Sequence, residues 1–131
     1  MAKNIGGAYH GIIINVSQRD RSIFKTAEII GKKKLFFGFL TFYKIKASPD
    51  TIDGTIKAFQ GNMADRVLFR KQEFYLHFYR DDELIIVFRD KIFNVSPDTS
   101  TWAAAIAHGR QLKIADKQLD FKPNRFEDED Y

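Results

Sequence analysis

The hydrophobic pattern of the chain is clearest over residues 73–95, EFYLHFYRDDELIIVFRDKIFNV. Two runs of apolar, aromatic and β-branched residues flank the polar cluster 80–83, and this arrangement predicts a β-hairpin. Both faces of that hairpin are mainly apolar, so we expect it to lie in the middle of a sheet. With Asp81 and Asp82 as the loop, the predicted opposed pairs are Phe78 with Ile85, Leu76 with Val87, Phe74 with Arg89, Tyr79 with Leu84, His77 with Ile86, and Tyr75 with Phe88.

Three segments before the hairpin carry weaker patterns. Residues 11–17 are rich in β-branched side chains and predict a strand. Residues 35–47 are apolar on both sides at first and predict one long strand, in which Gly38 marks a bulge or a close approach of another group to the backbone. Between them, an extended conformation over 22–30 competes with a helix that ends at Gly31. The helix is favoured because one of its faces would collect Ile23, Phe24, Ala27 and Ile30.

The sequence Ser-Pro-Asp-Thr occurs twice, at 48–51 and at 96–99, and each copy follows a predicted strand. Serine is a good N-cap and proline suits the first helical position, so a helix is predicted after each copy. The first helix is expected to end at Gly61 and the second near Arg110. Residues 66–69 are a further short strand candidate.

This order of elements predicts an α+β fold. We expect a single-layer, mainly antiparallel sheet of four or five strands with two or three helices packed on it. The globular domain is placed at residues 1–123, and residues 124–131 are expected to form a flexible acidic tail. If all the helices cover one face, the other face needs a partner, and a homodimer through that open face is the expectation.

Composition narrows the class of protein. The 131 residues include no cysteine, so disulfides and thiolate metal sites are excluded. Residues 1–10, MAKNIGGAYH, lack the pattern of a signal peptide. No apolar stretch approaches the roughly 20 residues that a membrane-spanning helix needs. A soluble, cytoplasmic protein with no membrane partner is therefore expected.

Charge is distributed unevenly along the chain. Residues 1–46 contain nine Lys and Arg against two acids, a balance of +7, so the net charge of +4 leaves −3 for the remainder. This asymmetry predicts contact with nucleic acid or an acidic protein, and the acids at 127–130 are expected to shield the basic surface. An ordinary solvated surface is the alternative. The predicted anion-binding residues are Arg19, Arg21, Lys25, Lys32, Lys33 and Lys34.

Residues 37–42, FGFLTF, match the last six positions of the strand signature of the RNA-recognition motif. In that family such aromatic residues stack on bases, so Phe37 and Phe39 are the candidate stacking residues here. Leu35 and Phe36 stand where the signature begins with a basic residue and a glycine. We therefore do not assign the chain to the family, and a strand buried on both faces is the favoured interpretation of this segment.

Signals for catalysis are weaker. His10, His77 and His108 do not have metal-ligand spacing, and no phosphate-binding loop is present, so no metal or cofactor is predicted. A small enzyme that uses His77 with the hairpin carboxylates, at 81–83, is one alternative function. An oligomer-forming structural subunit is the other. A non-enzymatic binding module is the leading interpretation.

Overall fold

The computed structural model describes residues 7–35, 39–119 and 121. The strands are β1 (Tyr9–Ile14), β2 (Glu28–Leu35), β3 (Leu40–Ala47), β4 (Arg66–Val67), β5 (Arg70–Lys71), β6 (Tyr75–Arg80), β7 (Glu83–Phe88) and β8 (Lys91–Val95). The helices are α1 (Ile52–Gly61) and α2 (Ala103–Gln111), and Arg21–Thr26 form a six-residue 3-10 helix. Short 3-10 turns occupy Asn15–Ser17, Thr99–Thr101 and Asp116–Gln118.

The main sheet has the strand order β2-β3-β1-β6-β7-β8, and every neighbouring pair is antiparallel. The α+β prediction is confirmed in these terms, but the predicted count of four or five strands is wrong. The main sheet contains six strands, and β4 and β5 form a separate two-stranded unit. The two halves of the main sheet join where β1 meets β6, through the three pairs His10–Tyr79, Gly11–Phe78 and Ile12–His77.

The predicted hairpin register is confirmed for β6 and β7. The five pairs from Tyr75–Phe88 to Tyr79–Leu84 stand as predicted, and Asp81 and Asp82 form the loop. The predicted pair Phe74–Arg89 is not part of the ladder, because β6 begins at Tyr75. Residues 91–95 add a third strand, so the segment 73–95 is a meander rather than a single hairpin.

The helix predicted to end at Gly31 is present only in part, as a 3-10 helix over Arg21–Thr26. Asp20 begins a 3-10 helix by accepting a hydrogen bond from the Ser22 amide at 3.0 Å, and that helix ends at Thr26. Residues 28–35 then form edge strand β2, with a register shift between Ile29 and Gly31. Of the predicted helical face, Ile23, Phe24 and Ala27 pack in one core, whereas Ile30 is 43% exposed. The lysine triplet 32–34 consequently lies within a strand and not beyond a helix end.

The predicted long strand 35–47 is divided. Leu35 ends β2 and is opposed by Leu40, the first residue of β3, so a turn separates the two strands. Phe39 belongs to that turn. The bulge expected at Gly38 and the whole of the predicted tail at 124–131 lie outside the described residues.

Helices cover both faces of the sheet. On one face, α1 packs Ile52, Ile56 and Phe59 against the sheet, together with Ile13, Ile45, Leu76, Phe78, Ile85 and Val87. The other face has its own core, formed with α2 and the segment that follows it, by Tyr79, Leu84, Ile86, Phe88, Trp102, Ala105, Ile114, Leu119 and Phe121. The condition for an open face is therefore not met over β6–β8. Homodimer formation stays a prediction.

The small β4–β5 unit is fastened to the main sheet at its base. The Gln72 amide donates to the Asp65 carbonyl at 2.8 Å, and this bond closes the base of the unit itself. Next along the chain, the buried Glu73 carboxylate accepts two hydrogen bonds from Arg89, at 3.2 and 2.8 Å. Such a two-point contact fixes geometry as well as adding energy. It therefore holds the short unit beside the end of the sheet at which β6 begins.

Candidate anion-binding groove

A groove with a volume of about 490 Å³ lies at the end of the sheet where β1 ends and β3 begins. Its charged lining comes from three arginines and one acid, and its exposed apolar lining from Phe39 and Leu68. The volume falls in the range of small-ligand sites. The charged residues are Arg19, Arg21, Asp65 and Arg66.

The first wall is organised by Asn15, which is buried where β1 passes into a 3-10 turn. Its side-chain amide nitrogen donates to the Phe39 carbonyl at 3.1 Å. Its side-chain oxygen accepts from the Thr41 amide, also at 3.1 Å. One asparagine thus ties the β2–β3 turn to the end of β1, and this contact places the Phe39 ring, which is 52% exposed, at the groove.

The second wall is formed by residues 17–20 and 62–64, which are joined by several hydrogen bonds. The Ala64 amide donates to the Ser17 carbonyl at 2.7 Å, and the Arg19 amide donates to the Asn62 carbonyl at 2.8 Å. The Asn62 side chain donates to the Gln18 side chain and to the Asp20 carbonyl, each at 2.9 Å. These bonds bring Arg19 beside the chain that continues into β4, although about 45 residues separate the two segments in sequence.

The third wall is the β4–β5 unit itself. Val67 pairs with Arg70, so Leu68 and Phe69 form a two-residue loop. The side chains of these two residues are 77% and 97% exposed. Cationic side chains flank the loop on both strands, from Arg66, Arg70 and Lys71, all exposed.

The groove is electropositive because its lining combines three guanidinium groups with one carboxylate, a balance of +2. Guanidinium groups keep their charge at any physiological pH. The acid neutralises little of it, since Arg66 Nε lies 3.7 Å from the Asp65 carboxylate and the Arg66 side chain is 61% exposed. Arg19 makes one long contact, 3.4 Å, to the Gly61 carbonyl. The arrangement is suited to binding anions.

The predicted anion-binding residues divide into three groups. Arg19, Arg21 and Phe39 line the groove together. Lys25 is exposed on the 3-10 helix, and the β2 lysines alternate between faces: Lys32 and Lys34 share the α1 face, and Lys33 is on the other. Lys32 Nζ lies 5.6 Å from the ring centroid of Tyr43. Phe37 lies outside the described residues.

Sequence reasoning missed the contribution of the β4–β5 unit. Arg66, Arg70 and Lys71 belong to the part of the chain with a net negative balance, so the count over residues 1–46 did not include them. A local signal was present, because three cations surround an exposed Leu-Phe pair within six residues. Its meaning depends on the contact with residues 17–20, which no local pattern reveals.

The alternative site around His77 has a different geometry from the one predicted. His77 is opposed by Ile86 in the middle of β6, away from both turns. Glu83 accepts hydrogen bonds from Arg80 and from the Tyr9 hydroxyl, and Asp90 contacts His108 at 2.8 Å. Asp81 and Asp82 are exposed in the turn. The hairpin carboxylates are thus placed for turn and ion-pair roles.

The neighbours of His77 on that face form a polar strip across the sheet. His10, Lys44 and Tyr79 are all buried, with 1%, 3% and 5% of their surfaces exposed. The ring centroids of His10 and Tyr79 are 5.6 Å apart. Burial, with the charges of Lys44 and Lys46, lowers the pKa of His10 to about 4, so this histidine is neutral at pH 7.

Comparison with known protein families, with curated proteins and with solved structures finds no significant match. Within the described ranges, no three side chains of the metal-ligating kinds come together as a metal site. None of the helices in that same part of the chain is both long and apolar enough to cross a membrane.

Proposed function

We propose that this protein is a binding module that holds a nucleic-acid backbone in the arginine-lined groove. The observation that carries the proposal is the convergence of Arg19, Arg21 and Arg66 on one concave surface, drawn from segments far apart in sequence. Arginine is the side chain best suited to phosphate, because its planar donors bind two oxygens at once. A groove lined in this way is suited to binding a linear polyanion along its length.

Phe39 favours nucleic acid over other polyanions. Its ring is half-exposed in the same groove as the arginines. A flat ligand that stacks on the ring therefore disrupts no packing of the folded protein. Proteins that bind single strands combine a cationic groove with aromatic rings on which bases stack. A sulfated or acidic polypeptide partner would use the arginines and leave the ring without a matching group.

In this proposal the acidic residues 127–130 compete with nucleic acid for the groove. Four consecutive carboxylates carry the charge pattern of a short polyanion. We expect deletion of residues 127–131 to tighten binding of nucleic acid at low salt, where electrostatic contacts are strongest. Equal affinities of the full chain and the shortened chain for nucleic acid would show that residues 127–130 do not compete, and the proposal for the groove would stand.

The test is fluorescence anisotropy of labelled RNA and DNA, single-stranded and duplex, titrated at several salt concentrations. Binding should weaken steeply as salt rises, because phosphate contacts release counterions. Replacing Arg19, Arg21 and Arg66 together by Gln should reduce the log–log salt slope by about 2, at roughly 0.7 for each lost contact to a single strand. All three side chains are exposed, so the fold is expected to survive the change.

The matched control replaces three exposed lysines outside the groove, Lys57, Lys91 and Lys117, by Gln. It removes the same net charge and should leave most of the affinity. Equal losses in the two triple variants would show that only total charge matters. Absence of binding at low salt would retire the proposal. Self-association, the remaining alternative, is measured by light scattering on the same samples.

A further inference from the structure

The β4–β5 loop presents two apolar side chains to solvent without a folding reason. Leu68 and Phe69 are 77% and 97% exposed, and neither belongs to the two cores of the sheet. Burial of a leucine or phenylalanine side chain stabilises a fold, and these two residues do not make that contribution. Ordinary turn chemistry would put glycine, asparagine or aspartate at such a position.

The backbone of the loop is also unfavourable for these residues. Leu68 has φ 56°, in the left-handed region that glycine and asparagine adopt readily and leucine does not. A two-residue hairpin with a positive φ at its first position normally carries glycine there. The sequence therefore keeps a large apolar residue at a position that disfavours it, and local rules of this kind are most often broken where function requires it.

The surroundings of the loop indicate what it contacts. Leu68 lines the same groove as Arg19, Arg21 and Phe39. Exposed cations stand at its base on both strands, at Arg66, Arg70 and Lys71. A ligand for this loop thus has flat apolar surface next to negative charge, and unpaired nucleotides meet both conditions.

We infer that the Leu68–Phe69 loop is a stacking finger that makes the groove selective for single-stranded nucleic acid, an inference that rests on the proposed function. Bases in a duplex are stacked and paired inside the helix, whereas an unpaired base offers a free face to an aromatic ring. Phe69 stacks on one base at the tip, Phe39 on another inside the groove, and the arginines bind the phosphates between them.

An anionic bilayer is the competing class of partner, since an apolar tip flanked by cations also suits a membrane surface. The groove favours the nucleic acid. A bilayer would contact the tip alone, whereas a single strand also occupies the concave surface that Phe39 and the arginines form behind it. The experiment therefore includes a vesicle arm.

Anisotropy is measured with labelled oligouridine of about 12 nucleotides, within the site sizes of single-strand binders, and with an RNA duplex of the same length. Phe69→Ala should weaken single-strand binding roughly tenfold, as expected for loss of one stacked base. Duplex affinity and the salt slope should stay unchanged. The control Ile30→Ala removes an apolar side chain that is also exposed but belongs to β2, and it should bind as the unaltered protein does.

A second variant, Phe69→Trp, should retain single-strand affinity and show quenched indole emission on binding, after subtraction of the Trp102 signal. Loss of binding in the triple arginine variant together with unchanged binding in Phe69→Ala would overturn the finger and leave the groove proposal intact. Equal losses of single-strand and duplex binding in Phe69→Ala would overturn it too. Absence of binding to RNA and DNA alike, or Phe69-dependent binding only to vesicles with 30% phosphatidylserine, would overturn both proposals.

Discussion

Two turns of this protein share a length and a positive φ at the first residue, and they differ completely in chemistry. Each is a two-residue loop between paired strands, Asp81–Asp82 between β6 and β7, and Leu68–Phe69 between β4 and β5. Each has a positive φ at its first residue, 50° at Asp81 and 56° at Leu68. Aspartate tolerates that conformation and is solvated, so the first turn is explained by folding alone. The second is not, and the difference separates a turn that serves the fold from one available for binding.

The same contrast holds for the hairpins that the two turns close. The β6–β7 hairpin supplies side chains to both cores of the sheet, whereas the β4–β5 unit has two residues in each strand and is anchored mainly at its base. The β6–β7 hairpin contributes to the stability of the fold, whereas the β4–β5 unit presents exposed side chains that are available for binding. Four measurements test how sharply these two roles are separated.

The largest effect compares two phenylalanines. Phe78 in β6 is fully buried, so Phe78→Ala should lower the free energy of unfolding by about 3–5 kcal/mol. Phe69→Ala should change it by less than about 0.5 kcal/mol, because that side chain is almost wholly in water. Urea denaturation followed by circular dichroism measures both. A large loss from Phe69→Ala would mean that the finger packs on the protein in solution.

The next effect concerns the link between the regions. Glu73→Ala removes both hydrogen bonds to Arg89 and should destabilise the protein by about 2 kcal/mol, the scale of charged hydrogen bonds at a buried group. Amide exchange over residues 65–72 should accelerate. Asp116→Ala breaks an ion pair in which both side chains are mostly exposed, so it serves as the control and should leave stability almost unchanged. Matching losses would show that the Glu73 contact is no anchor.

Lowering the pH should destabilise the sheet around His10 and leave the charge of the groove arginines unchanged. His10 pairs with Tyr79 of β6, and its pKa is about 4 in the folded protein against the usual 6.5. Between those values the unfolded chain binds the proton and the folded chain does not, so stability falls as pH decreases from 6.5 to 4, by an amount on the order of 2 kcal/mol.

Thermal unfolding across that pH window measures the effect, and His10→Gln should flatten the profile. The pKa of Asp90 is lowered by its hydrogen bond to His108, and this contribution is lost only below pH 3.8, outside the window. Arginine-mediated RNA binding should persist over the same window wherever the protein remains folded. A profile unaltered by His10→Gln would contradict this assignment.

The smallest effect addresses the turns directly. Leu68→Gly relieves the cost of a left-handed leucine, partly offset by the entropy of glycine, and should raise stability by about 0.5–1 kcal/mol. Asp81→Gly should be close to neutral, within about 0.5 kcal/mol. Paired denaturation curves measure the difference. A loss of stability from Leu68→Gly would show that the leucine side chain contributes to folding after all.

The local sequence pattern was sufficient to predict strand pairing where both strands lie close together in the sequence. The register of β6 and β7 followed from alternation and a two-residue loop, since both partners lie within one short segment. It failed over residues 18–30, where the spacing of Ile23, Phe24 and Ala27 also fits a helix. From residue 28 onward the pairing of β2 with β3 decides the conformation, because hydrogen bonds to another strand outweigh a weak helical period. Residues 21–26 form a 3-10 helix instead.

The groove could be predicted only in part for the same reason. Charge counting identified Arg19 and Arg21, and the aromatic signature identified Phe39, but no pattern linked them to one another. Their convergence depends on Asn15 and Asn62, whose side chains bond to backbone 24 and 42 residues away. Arg66 and the finger enter through those contacts. Sites assembled across such distances in sequence become visible only in the folded chain.

The narrow junction between β1 and β6 has a consequence for the chain as a whole. Each half of the sheet draws its three strands from consecutive sequence, 9–47 and 75–95, and the halves share three residue pairs. At that junction Gly11 lies so close to the Phe78 ring that a methyl group would meet its carbons at 2.5 Å. Cleavage at the exposed finger would leave both fragments with whole strands. The protein is thus a natural starting point for a split reporter whose pieces reassemble along this seam.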